Sequence, residues 1–170
     1  YVREGAITHQ DSLGNSGRTA AGDVQVMSAG SGIRHAEYNR ERETTRLFQI
    51  WIVPDEKGGA PSWGAKPFPK GDRAGRFVTL ASGLAGDDIS SDEGALPIRT
   101  SARVLGATLK AGQETEYRLA GHRAYLVPAA GKVTVNGVAA ATGDGLAIAD
   151  EAVLHITASE DAELVLVDTI

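Results

Sequence analysis

Apolar residues fall in short runs bounded by turn residues, and no segment holds a helical period for more than a turn or two. Runs at residues 46–53, 103–109, 117–119, 153–157 and 163–168 predict strands. Val24 and Val26 alternate with Asp23 and Gln25, the period-2 mark of another strand. The run from Leu47 to Val53 is apolar on both faces, which predicts a central strand covered on both sides. Turn signals recur between these runs, and the 21 glycines fit them, so the fold class expected is all-β, a sandwich or barrel. With 170 residues the chain can bury about two-thirds of its unfolded surface, as one large β domain or two small ones.

One strand pattern carries candidate chemistry. In the stretch from Gly22 to Asn39, Gly30, Ser31 and Gly32 mark a turn, after which Ile33 begins a run holding His35 and Glu37. Residues i and i+2 of a strand project from one face, so the imidazole and the carboxylate can reach one ion. A hairpin with this pair suits zinc, iron, manganese or nickel better than calcium. The commoner meaning of His-x-Glu is a solvated face or a local hydrogen bond, and two ligands do not close a site.

The segment from Gly32 to Asn39 fits the end of the second cupin motif: glycine, two residues, histidine, three residues, asparagine. Gly22-Asp23 matches its start. Ser28 stands where many cupins have proline, and the glycine turn is about two residues longer, both as in the pirin branch. The flanks Tyr1 to Gly5, His9 to Asn15 and Leu47 to Pro54 resemble the same branch. The chain therefore resembles pirin-like proteins of the cupin superfamily, densely over residues 1–55 and more loosely to its end.

The resemblance implies a bicupin, two tandem jelly-roll β-barrels, and one divalent metal held by a His-x-His pair and a later His-x-Glu pair. Here the later pair is His35 and Glu37; the other two histidines are expected upstream of Tyr1, about eight and ten residues before it. The chain starts without methionine inside a strand pattern, so a fragment whose first barrel lacks its N-terminal strands is expected. The metal expected first is iron, with nickel, manganese, copper, cobalt or zinc as alternatives. The implied partners are a small phenolic substrate, a flavonol such as quercetin, and dioxygen, which opens the heterocyclic ring with release of carbon monoxide. Glu37 would be both ligand and catalytic base. The alternative is a non-enzymatic, redox-sensing pirin that acts through a protein partner. A metal-free β scaffold ranks third.

Three other histidines lie outside this pair. His9 precedes the turn Asp11 to Asn15 and is expected to bond within that hairpin or line the pocket mouth rather than to ligate. His122 follows Gly121 in a loop and reads as a surface residue. His155 belongs to an internal echo: Gly143-Asp144 repeats Gly22-Asp23 at 121 positions, but Thr157 stands where the first copy has Glu37. His155 is therefore expected to be structural, in a second barrel without a metal site. The expected domains are residues 1–55, the remainder of the first barrel; 56–97, a crossover packing one strand at 77–81; and 98–170, the second barrel.

Charge and cysteine content narrow the rest. A net charge of −5 with no basic stripe argues against direct nucleic-acid binding. Arg40, Arg42 and Arg46 interleave with Glu41 and Glu43 as in a solvated loop. The absence of cysteine excludes disulfides and thiolate ligands. No apolar run has transmembrane length, so no membrane role is expected and the cytoplasm is the default location.

Overall fold

The computed structural model describes residues 1–170. The strands are β1 (Val2–Glu4), β2 (Ala6–Asp11), β3 (Ser16–Ala20), β4 (Val24–Ser28), β5 (His35–Tyr38), β6 (Arg46–Leu47), β7 (Ser62–Lys66), β8 (Val78–Ser82) and β9 (Leu96–Pro97). They continue as β10 (Ala102–Leu109), β11 (Glu114–Arg118), β12 (Arg123–Ala130), β13 (Lys132–Val135), β14 (Val138–Ala141), β15 (Leu146–Ala149), β16 (Val153–Ala158) and β17 (Ala162–Thr169). One 3-10 turn spans Lys70–Arg73, and there is no α-helix. The all-β expectation holds. No helix is long and apolar enough to cross a membrane.

The chain divides into two compact units, Tyr1–Pro69 with Leu96–Thr100, and Lys70–Ala95 with Ser101–Ile170. The second unit is a sandwich. One sheet runs β15-β12-β17-β10-β8, the other β11-β16-β13-β14, all antiparallel. Strand β16 alternates cleanly: Leu154, Ile156 and Ala158 are buried while His155 and Thr157 face solvent. Central strand β17 is buried at Ala162 to Leu166 in succession: Ala162, Leu164 and Leu166 join the sandwich core, and Glu163 on the other face pairs with Lys70 and Arg73 of the 3-10 turn. Leu126, Leu154, Leu164 and Leu166 are fully withdrawn from water, each contributing roughly 1.5–3 kcal/mol. This unit is the jelly-roll barrel expected at the C-terminal end.

The edge of that sheet offers a stability test. Arg103 donates two hydrogen bonds of 2.6 Å to Asp87, and the guanidinium holds the Asp87 carboxyl below the usual carboxylate range. A carboxyl with a depressed folded pKa adds stability above its unfolded value of about 4, lost as pH falls through the folded value. Asp87→Asn should lower the urea midpoint at neutral pH and flatten its decline in acid. Identical acid profiles for variant and wild type would show that this pair adds nothing.

The first unit has three small sheets, β3-β2-β5, β4-β7 and β1-β6. Two expectations are corrected here. Strands β4 and β5 are not a hairpin: β4 pairs with β7, and β5 with β2. The turn between them carries the chain from one sheet to another. Gly30, at φ 54°, lies so close to Gly59 that a Cβ would stand 2.5 Å from its carbonyl oxygen, and the Ser31 amide bonds that oxygen at 2.8 Å. Nor is the run from Leu47 to Val53 a covered central strand. Only Arg46–Leu47 pairs, with β1, and Trp51 and Val53 are 86% and 84% exposed because no other strand of these 170 residues flanks them.

The segment 56–97 is more than a crossover. It supplies β7 to the first unit and the 3-10 turn and β8 to the second, with β9 returning to the first. The strand expected at 77–81 is β8. Regular pairing of β7 through Gly64 and Lys66 was hidden by the surrounding glycines and prolines.

Candidate metal centre

Strand β5 lies antiparallel to β2 with His9 opposite Glu37 and Asp11 opposite His35. Directly opposed residues share a face of the sheet. The i, i+2 rule on each strand then gathers all four side chains on one side. One donor atom each from His9, His35 and Glu37 lies within 4.8 Å of the others. The His9 and His35 rings are 5.6 Å apart between centroids.

His9 is the most constrained of the three. It is fully buried, and its ring stacks on Trp63 at 4.7 Å and an interplanar angle of 5°. Trp63 reaches this place because Gly17 has no Cβ, which would collide with the indole. The Nε2 atom lies 3.0 Å from Asp11 Oδ2. Asp11 also accepts hydrogen bonds from the backbone amides of Leu13 and Asn15 and from the Asn15 side chain. Burial acts to raise its pKa, but the bonds from Asn15, His9 and Leu13 outweigh that and hold it at about 2.

In the neutral imidazole, an ionised Asp11 places the proton on Nε2 and leaves the lone pair on Nδ1. Nδ1 has no hydrogen-bond partner and stands 3.6 Å from Glu37 Oε1. Two electron-rich atoms thus face one another beside a second imidazole. A cation is what such a cluster lacks. Two imidazoles and a carboxylate suit a divalent transition metal, and a histidine backed by a carboxylate is the usual way such a ligand is oriented. The residues present therefore fit a metal.

Glu37 is also held from β4. Gln25 Nε2 donates to Glu37 Oε1, and Gln25 Oε1 accepts from Thr19 Oγ1 at 3.2 Å. His35 is exposed, so the cluster is open on that side. An open cleft of about 400 Å³, lined by Ser12, Gly32, Ile33 and Arg34, borders the chain next to Asp11 and His35.

The structure brings together the predicted pair, His35 and Glu37, and adds His9, which sequence reasoning set aside as a ligand. The hairpin bond expected for His9 is present, to Asp11, yet its other nitrogen faces Glu37. The overlooked signal was His9-x-Asp11, the same i, i+2 spacing as His35-x-Glu37. Trp63, Gln25 and Thr19 gave no signal, because only the sheet pairing brings them near. His122 is exposed just before β12, as expected of a surface residue. His155 lies on the solvent face of β16 in the second unit, its Nδ1 2.8 Å from Glu116 Oε1. His155→Ala should leave metal stoichiometry unchanged in elemental analysis; a loss of metal would relocate the centre.

Comparison with known proteins agrees with this architecture. Residues 1–52 match the Pirin family, and residues 89–169 match the quercetinase C-terminal cupin domain. A pirin-like protein of Caulobacter vibrioides is 73% identical over 169 residues, covering 99% of this chain and 71% of that protein. A quercetin 2,3-dioxygenase of Escherichia coli strain K12 is 39% identical over 170 residues, covering 99% and 70%. The crystal structure of the bacterial pirin YhhW of Escherichia coli in complex with nickel(II) superposes with a TM-score of 0.86 at 36% identity, over 99% of this chain and 70% of that one. By its fold, its paired domain matches and its close relatives, this chain belongs to the pirin family.

Proposed function

We propose that the protein is a metal-dependent dioxygenase acting on a flavonol such as quercetin, with His35 and Glu37 as metal ligands and Glu37 as the catalytic base. The observation that carries this reading is the convergence of His9 Nδ1, His35 and Glu37 on one point of a sheet face that is open to solvent at His35. Relatives named quercetin 2,3-dioxygenase support the substrate class.

A bound divalent metal supplies a Lewis acid for the adjacent hydroxyl and carbonyl oxygens of the flavonol. His35 would hold the ion through a ring nitrogen. His9, fixed by Asp11 and Trp63, aims its free Nδ1 at the same place. The Glu37 carboxylate takes the proton of the flavonol hydroxyl. Trp63 covers one face of His9 and keeps water from that side, while the exposed His35 leaves the centre open on its own side. The overall reaction consumes dioxygen, opens the heterocyclic ring and releases carbon monoxide.

Glu37→Gln keeps the shape and removes the negative charge. Flavonol turnover should fall at least 10²-fold, with a smaller loss of bound metal. Turnover at the wild-type rate would exclude Glu37 as the base. A second reading, a metal-containing regulator that acts through a protein partner, draws on one observation: the indole of Trp63 lies flat against His9 and closes that side of the centre. Flavonol turnover with a kcat that responds to Glu37→Gln separates the two.

A further inference from the structure

Behind Glu37 runs a chain of hydrogen bonds that the proposed chemistry does not use. Thr19 on β3 is almost wholly buried, and its hydroxyl donates to Gln25 Oε1 at 3.2 Å. A hydroxyl donating to the amide oxygen fixes which way the Gln25 amide faces, and its nitrogen end therefore points at Glu37. Gln25 Nε2 donates to Glu37 Oε1, the same oxygen that stands 3.6 Å from His9 Nδ1. A carboxylate on an exposed strand end has free rotation about its terminal bonds unless something holds it. Here Gln25 holds it.

We propose that Thr19 and Gln25 are positioning residues of the metal centre: Thr19 orients the Gln25 amide, and Gln25 secures the Glu37 carboxylate beside His9 and His35. The inference rests on the reading of His35 and Glu37 as ligands. Outer partners that orient a ligand typically change metal affinity 10- to 100-fold when removed, without touching the metal themselves. Neither residue need contact the substrate for this effect. The contact between Thr19 and Gln25 is between side chains, so it can be cut with little change in volume.

The test measures nickel(II) affinity by competition titration in the full-length protein, with copper(II) electron paramagnetic resonance as a second readout. Gln25→Leu and Thr19→Val each remove one link; Thr19→Ser keeps the hydroxyl, and His35→Ala reports on the site itself. The Kd should rise about 10- to 100-fold in Gln25→Leu. It should rise in the same direction in Thr19→Val and stay at the wild-type value in Thr19→Ser. The copper spectrum should change in the first two variants and not in the serine variant. Wild-type affinity and spectrum in both Gln25→Leu and Thr19→Val, with metal lost in His35→Ala, would overturn the inference and leave the metal centre standing. A change in Gln25→Leu alone would overturn the role of Thr19. Unaltered metal binding in His35→Ala would instead overturn the assignment of the site.

Discussion

His35→Ala should strip most of the bound metal from the protein and leave its β-sheet circular dichroism unchanged. His35 sits at the start of β5 with its side chain in solvent, so little packing is lost with the ring. What is lost is a nitrogen donor from a cluster that has only three donors among these residues. Each donor lost weakens the hold on a divalent transition metal. Elemental analysis after gel filtration should show stoichiometry falling from about one ion per chain towards zero, and flavonol turnover falling with it. Metal content equal to the wild type would remove His35 from the centre and with it the proposed chemistry.

The largest stability effect is expected in the second unit, at Asp168. This carboxylate is fully buried near the end of β17. It accepts hydrogen bonds from the Tyr117 hydroxyl at 2.9 Å, the Ala120 amide at 2.8 Å and the Gly121 amide at 3.5 Å. Burial, and then the Asp168 carboxylate, pushes the Tyr117 hydroxyl above its usual range, which keeps it a donor. One side chain thus ties the turn between β11 and β12 to β17. Asp168→Ala leaves these donors buried without a partner and should cost roughly 3–5 kcal/mol in urea unfolding. Asp168→Asn, which keeps one acceptor oxygen, should cost less. A loss within about 0.5 kcal/mol, as for an ordinary surface substitution, would mean that the turn is held by something else.

Local pattern located β8, β10, β16 and β17 of the second unit and part of β11, while β12 to β15 lay outside the expected runs. The strand β16 is the clearest case: Leu154 and Ile156 inside, His155 outside, as period 2 requires. The first unit was harder. Val24 and His35 lie close in sequence on either side of a glycine turn, which locally reads as a hairpin, yet their strands join different sheets. Periodicity carries no information on which strands pair. The Leu47 to Val53 run misled for the same reason: apolar composition implied cover, but exposure is decided by neighbours.

The candidate site divides along the same line. His35-x-Glu37 was legible because both side chains come from one strand and obey one local rule. His9 and Asp11 obey that rule too, but they join the pair only through the β2-β5 register, which sets His9 against Glu37. Trp63 arrives from β7, forty-six residues after Gly17, the glycine whose missing Cβ admits it. Gln25 looked like the polar half of an alternating strand; only its distance from Glu37 and Thr19 gives it a role.

The central claim is that this protein holds one divalent metal and uses it on a flavonol. The most direct measurement is metal content of the full-length protein, purified without chelator, paired with quercetin consumption under oxygen on the same preparation. About one transition-metal ion per chain, together with quercetin loss and carbon monoxide release that track the metal content, is the expected result. A protein without metal that cannot be loaded, or one fully loaded that leaves quercetin untouched, would contradict it.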